Sequence, residues 1–351
     1  MKIQLGVIGF GGMGKWHAQN APRAGVEIVA VCDIEEKKQQ EAIEMGYKLY
    51  KSADELLADP EVNTVILTVP NHLHREMCIK AAKAGKNVIT EKPAALNVRE
   101  LDEMEAACKE AGVFFTSHQN RRWDDDYLTM RRIVETNRLG KVFRIESRVQ
   151  GSRGIPGDWR KEKPHGGGMV YDWGVHLLDQ ALTLCDADPL RSVYAHVTHI
   201  TNVECDDGFY CELRFQSGLS YYVEVTTNNF ISLPRWYILG ENGTAVIEDW
   251  DINGKMTLVH DWDKIDAVPV KAGTGITKTM APRTDETIHD EPLEKINGRW
   301  TQYYDNIYEV IRSGAAQTVS HRQMRRCLKL IEAIFRSAET DRVVAFEEDP
   351  E

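Results

Sequence analysis

The chain has 351 residues, with 43 lysines and arginines against 54 aspartates and glutamates, a formal net charge of −11 at pH 7. That acidic balance, without a lysine or arginine run, argues against a nucleic-acid partner, and no apolar run approaches the roughly 18 residues a membrane helix needs. The length suggests two domains, and seven scattered cysteines without a C-x-x-C pair read as reduced, mostly buried thiols of a cytoplasmic protein.

The first strand, Lys2 to Phe10, begins almost at Met1, so no signal peptide is expected ahead of it. It runs into Gly9, Phe10, Gly11, Gly12, Met13 and Gly14, a G-x-G-x-x-G pattern that opens a helix through Trp16 to Ala18. A second strand, Val26 to Cys32, ends at Asp33, 19 residues past Gly14 and near the spacing of a dinucleotide fingerprint. Each part has a physical job. Gly9 permits a tight turn, Gly11 a close approach of backbone to a pyrophosphate, and Gly14 close helix–strand packing, while the helix N-terminus offers amides to phosphate. Asp33 can accept from ribose hydroxyls and would repel a 2′-phosphate, which favours NAD over NADP.

The alternation continues. Helices are expected over Glu35 to Gly46 and Ala53 to Ala58, and a buried strand over Val62 to Val69. Pro70 to His74 opens a helix ending near Ala84 with Gly85 as its C-cap. The strand Lys86 to Thr90 delivers Glu91, Lys92 and Pro93 to the carboxyl edge of the sheet, where ligands of open α/β sheets collect. A helix over Val98 to Ala111 and a strand over Val113 to Ser117 complete a doubly wound parallel sheet. The domain junction is placed at 121/122, giving a cofactor domain of residues 1–121 and a second α/β domain of residues 122–351.

Beyond the junction, Asp124 to Asn137 reads as a helix and Lys141 to Gln150 as a half-exposed strand. Strands follow at Leu190 to Ile200, Asp207 to Phe215, Leu219 to Thr227, Arg235 to Gly240 and Thr244 to Trp250, with hairpin turns at 216–218 and 241–243, hence an open, mostly antiparallel sheet. Asp251 to Glu294 is poorly readable; Lys264 to Pro292 is long and polar, a pattern of lids, oligomer arms or disorder. Helices are expected over Trp300 to Ser313 and His321 to Thr340, and a closing strand over Val343 to Phe346.

Between the first strand of this domain and its hairpins lies Gly166, Gly167, Gly168, followed by Asp172 and His176. On a helix the last two share a face one turn apart. A carboxylate and an imidazole beside bare backbone suit a polar substrate, although a lone D-x-x-x-H also arises by chance and either residue could serve packing alone. Trp123, Trp159, Trp236 and Tyr237 are candidate stacking platforms, and Asn228, Asn229 and Arg235 candidate hydroxyl readers. His74, His118 and His176 lack metal-ligand spacing, so no metal is expected.

Taken in order, the glycine motif, Pro70-Asn71-x-x-His74, Glu91-Lys92-Pro93, Asn120-Arg121-Arg122, Trp159-Arg160 and the triple glycine with Asp172 and His176 resemble the Gfo/Idh/MocA oxidoreductases, over nearly the whole chain. The resemblance implies a Rossmann domain plus an open-sheet α/β domain and a homodimer or homotetramer. It implies a cofactor site of Gly9, Gly11, Gly12, Met13, Gly14, Asp33, Pro70, Asn71, His74, Glu91 and Lys92. Catalysis would fall to Lys92, Asp172 and His176, with a Lys92–Pro93 bond often cis in relatives, and substrate contacts to Arg121, Trp123, Trp159, Arg160, Asp172 and His176. The expected activity is NAD-dependent oxidation of a secondary hydroxyl of a sugar, cyclic polyol or glycoside, with some relatives acting at ring C3. Alternatives are a redox-neutral NAD-dependent glycosidase and a non-catalytic NAD-binding regulator.

Overall fold

The computed structural model describes residues 2–264 and 268–349. Apolar segments form β1 (Gln4–Ile8), β2 (Glu27–Cys32), β3 (Leu49–Tyr50), β4 (Thr64–Leu67), β5 (Asn87–Thr90) and β6 (Phe115–Ser117), a parallel sheet in the order β3-β2-β1-β4-β5-β6. Its central strands are buried almost residue for residue, as a sheet covered on both faces requires. The crossovers are α1 (Gly12–Asn20), α2 (Glu36–Glu44), α3 (Ala53–Ala58), α4 (His74–Lys83) and α5 (Val98–Ala111). Asn97 caps α5 by accepting from the Glu100 amide, and Gly112 ends it in the left-handed conformation.

After α6 (Asp125–Glu135) come β7 (Val142–Gln150), α7 (Val175–Leu184), β8 (Leu190–Thr198), β9 (Gly208–Phe215), β10 (Ser220–Thr226), β11 (Trp236–Gly240), β12 (Gly243–Ile247), β13 (Gly254–Val259), the small hairpin β14 (Val270–Ala272) and β15 (Gly275–Thr277), and β16 (Ile288–Pro292). The chain closes with α8 (Gln302–Ser313), α9 (His321–Thr340) and β17 (Val344–Ala345). The second sheet has nine strands in the order β16-β13-β12-β11-β7-β10-β9-β8-β17. Its neighbours pair antiparallel except β10 with β7, which run parallel because the helical segment through α7 and the β8–β9 hairpin intervene between them. Along β10, Tyr221, Val223 and Val225 are buried and alternate with partly exposed residues.

Three features depart from the sequence expectation. The poorly readable stretch 251–294 contributes four strands, β13 and β16 paired at the edge of the second sheet and the separate β14–β15 hairpin, the last three within the 264–292 segment expected to be irregular; residues 265–267 of it lie outside the described residues. Trp236 is fully buried, its indole N–H donating to Asp126 Oδ2 at 2.7 Å, so it is a core residue and not an exposed platform. Finally, α8 and α9 return to the first sheet. Val98 N–H donates to Glu332 at 2.8 Å, Thr116 Oγ1 to the Val319 carbonyl at 3.2 Å, and Gln317 Nε2 to the Phe115 carbonyl at 2.9 Å. Among the described residues no helix is long and apolar enough to cross a membrane.

Candidate active site

A cleft of about 1100 Å³ opens at the carboxyl edge of the parallel sheet, lined from one side by the turns after β1, β2, β4 and β5 and from the other by the 158–176 segment. Gly9, Gly11, Gly12 and Met13 form its floor. A Cβ placed on Gly11 or Gly12 would meet nothing within 4 Å, so the backbone at the start of α1 is open to a ligand. Gly14 does not line the cleft; its added Cβ would stand 2.0 Å from the Gly9 carbonyl oxygen, which makes it the packing glycine. The Asp33 carboxylate accepts from Phe10 N–H at 2.6 Å and Glu35 N–H at 2.8 Å, and keeps lone pairs for ribose hydroxyls. Open amides at a helix N-terminus with a carboxylate at the end of β2 fit a dinucleotide.

Pro70 and Asn71 line the same cleft, and Asn71 donates to the Gly166 carbonyl at 2.9 Å across it. Beside that bond His72 stacks on His165, with ring centroids 4.4 Å apart, and Tyr171 donates to the Leu96 carbonyl at 2.7 Å. These contacts fasten the 158–171 segment to the cofactor side. His74 is fully buried below the cleft, between the Pro93 carbonyl at 2.9 Å and the Val69 carbonyl at 3.0 Å. It braces the Glu91–Pro93 turn and does not face the cavity. The Lys92–Pro93 peptide is cis.

Glu91 anchors a network that sequence reading did not find. Its Oε1 lies 2.8 Å from His17 Nε2 and 2.9 Å from His118 Nδ1, and Tyr304 Oη is 2.5 Å from His17 Nδ1. Burial would raise the Glu91 carboxyl, but His118 and His17 hold it well below the usual range. Burial is also the chief reason His17 falls to about 4. The carboxylate satisfies both imidazoles, so the three ligand-like groups are accounted for by hydrogen bonds alone.

On the facing wall, Val170–Gly174 forms a π-helical turn that runs into α7 and places Asp172 and His176 on the cleft. Lys92 Nζ donates to the Asp172 carbonyl at 2.8 Å and to Asp172 Oδ1 at 3.0 Å, and Arg160 Nε lies 3.5 Å from the same oxygen. Burial opposes ionisation of Asp172, but Lys92 and Arg160 lower its pKa overall. His176 is buried, with no hydrogen-bond partner at Nδ1 among the described residues. Burial first, then the charges of Lys92 and Arg121, push its pKa well below the ordinary histidine value, so it is a neutral imidazole at pH 7.

The turn is held from behind. Val170 N–H donates to Asp206 Oδ2 at 2.8 Å, and Gly168, with φ of +107°, lies so close that an added Cβ would be 2.2 Å from Asp206 Oδ1. Burial raises Asp206 to about 7. Arg122 turns away from the cleft to grip Asp179 of α7 with two bonds of 2.7 and 2.6 Å. Arg121 and Trp159 do line the cleft, with the Arg121 guanidinium 4.1 Å above the Trp173 ring. Trp123 does not; it packs edge-on to Tyr303. Tyr237, Asn228 and Asn229 also lie off the cleft, and Arg235 is buried, bonded to Ser147 at 2.8 Å. The aromatic wall is made by the candidate platform Trp159 together with Trp173 and, further out, Trp250, 5.9 Å from Trp173. Of the two that the sequence reading missed, only Trp173, next to Asp172, had a visible clue in its position.

The comparison with known proteins agrees with this architecture. The family model for the oxidoreductase family with an NAD-binding Rossmann fold, GFO_IDH_MocA, matches residues 3–119, and that for the GFO/IDH/MocA C-terminal domain matches residues 127–246. A crystal structure of an NAD-binding protein from Listeria innocua is 41% identical, with a TM-score of 0.95 over 99% of this chain and 100% of that one. The NADP-dependent scyllo-inositol 2-dehydrogenase IolW of Bacillus subtilis is 28% identical over 84% of this chain and 82% of its own. A myo-inositol 2-dehydrogenase of Thermotoga maritima is 32% identical over 62% of this chain and 66% of its own. With both halves matched and the cleft built as described, the chain belongs to the GFO/IDH/MocA family of NAD-binding oxidoreductases.

Proposed function

We propose that the protein oxidises a secondary hydroxyl of a sugar, cyclic polyol or glycoside to a ketone, reversibly and with NAD, using Lys92, Asp172 and His176. The observation that carries this reading is the convergence, across one cleft, of a neutral, buried imidazole unpartnered at Nδ1 and a lysine–aspartate pair 3.0 Å apart. When bound, the nicotinamide supplies the hydride acceptor. His176 takes the hydroxyl proton, a role that needs the neutral ring its burial secures. Lys92, held by Asp172, donates to the oxygen as negative charge develops there. Asp172 orients the ring hydroxyls, and Arg121 with Trp173 and Trp159 walls the substrate against the cofactor side. Asp33 supports NAD by placing a carboxylate where a 2′-phosphate would sit. Relatives include both NAD- and NADP-named inositol dehydrogenases, and the reading of NAD for this chain rests on Asp33.

The test is NADH formation by purified protein with inositols, free sugars and glycosides, with NADP in parallel. His176→Ala should lower kcat by about 10²–10⁴-fold, the usual contribution of a positioned base, with NAD affinity retained. Unchanged turnover would remove His176 from the role. Product formation without net NADH would favour the redox-neutral glycosidase; bound NAD without turnover of any substrate would favour a regulator.

A further inference from the structure

Beside the cofactor cleft lies a second chamber of about 460 Å³, continuous with it through Arg121, Asp172 and Trp173, which line both. It is walled by the ends of β7 and β10 at Gln150 and Thr226, the backbone of Gly151, and the ring of Trp250, which is 49% exposed. Arg121 and Asp172 are the only charged residues lining it among the described residues, and both stand at the mouth shared with the catalytic cleft. The interior offers hydroxyl, amide and aliphatic groups with one aromatic face. At its rim the turn 228–233 is tied down by Asn229 N–H donating to the Gly151 carbonyl at 2.8 Å and Leu233 N–H to Gln150 Oε1 at 2.7 Å. That turn leaves Phe230, Ile231 and Leu233 exposed.

A chamber of this size lies in the range of about 300–1,000 Å³ that takes a whole small ligand, so a single ring reacting at Lys92 and His176 leaves it unfilled. We infer that the substrate is a two-part glycoside: one sugar ring is oxidised in the cleft, while a neutral second ring or apolar aglycone occupies this chamber against Trp250. The absence of interior cations disfavours a phosphorylated or carboxylated second part, whose charge would be buried unpaired. The inference rests on the dehydrogenase reading for its chemistry, but not for its binding.

The test separates the two. Calorimetric binding of matched methyl and phenyl glycosides in the gluco, galacto and manno series, and of cellobiose, is measured with NADH present, alongside NADH production from NAD with the same compounds. The phenyl member of the recognised series should bind about tenfold more tightly than the methyl one, the gain from taking one further ring face out of water. That preference should fall to near parity in Gly151→Phe, where an added Cβ has room, its nearest neighbour being the Thr226 carbonyl at 4.0 Å. Trp250→Ala, on the exposed wall, should lose the preference in the same way and serves if the first variant folds poorly. Equal binding of methyl and phenyl members, binding by none, or a preference that survives both substitutions overturns the inference. NADH production with no such preference would leave the dehydrogenase reading standing without the chamber. A preference abolished by both substitutions, with no NADH from any compound, would keep the chamber and sink the dehydrogenase reading.

Discussion

At the scale of single residues, the parts of the site that act by local spacing were readable in the sequence. Gly9, Gly11 and Asp33 follow a strand–turn–helix–strand order whose geometry is fixed by short connections, and all three line the cleft. Glu91 was readable as a motif member but not as the hub it is, because its partners His17 and His118 are 74 and 27 residues away. His74 shows the converse error: the motif placed it correctly, yet its ring turns inward to two carbonyls. Asp33 yields a direct prediction. Asp33→Ala should raise the NADP-to-NAD ratio of kcat/KM by about tenfold, since removing one like-charge contact worth about 1.4 kcal/mol changes a ratio by that factor. An unchanged ratio in steady-state kinetics would assign the choice to other residues.

At the scale of elements, the substrate side depends on how one helical turn is seated. The sequence suggested a plain helix through Asp172 and His176; the wider π turn did not show there, and Asp206, which accepts from its first amide, lies 36 residues away. Gly168→Ala puts a Cβ into Asp206 and requires a left-handed φ of an alanine. A cost of about 1–3 kcal/mol is expected, as for a residue held in a sparsely populated conformation. The variant should show both a lower Tm and a lower kcat, with NAD affinity kept, because the cradle at α1 is remote from the change. The Arg122–Asp179 pair supports the same helix. Arg122→Leu strands a buried carboxylate and should cost about 3–5 kcal/mol in urea unfolding, whereas the double replacement Arg122→Leu with Asp179→Leu should recover part of that loss.

Across the whole molecule, buried histidines tie stability to pH. His17, His74 and His176 all have folded-state pKa values lowered, chiefly by burial. The unfolded chain therefore takes up protons near pH 6.5 that the folded protein refuses. Above that pH these groups are neutral in both states and contribute no slope. Below it stability falls, by about 1.4 kcal/mol per pH unit for each histidine, down toward pH 4, where His17 itself begins to protonate. Glu91, held low in the folded state, adds a loss in the same direction once the pH drops below the ordinary carboxyl range. Urea midpoints at pH 8.5, 7.5 and 5 should be steady over the first interval and drop over the second. A midpoint unchanged at pH 5 would mean that these rings accept protons in place.

The return of α8 and α9 to the first sheet bears on how the protein is made. During synthesis the strands and helices of the cofactor side leave the ribosome first, with His17 lacking Tyr304, which comes 287 residues later, and Val98 lacking the Glu332 carboxylate. The nascent cofactor unit must wait, incompletely bonded, for the last helices to arrive. A stop codon or protease cut that removed those helices would damage the nucleotide end of the enzyme although it fell at the opposite end of the gene.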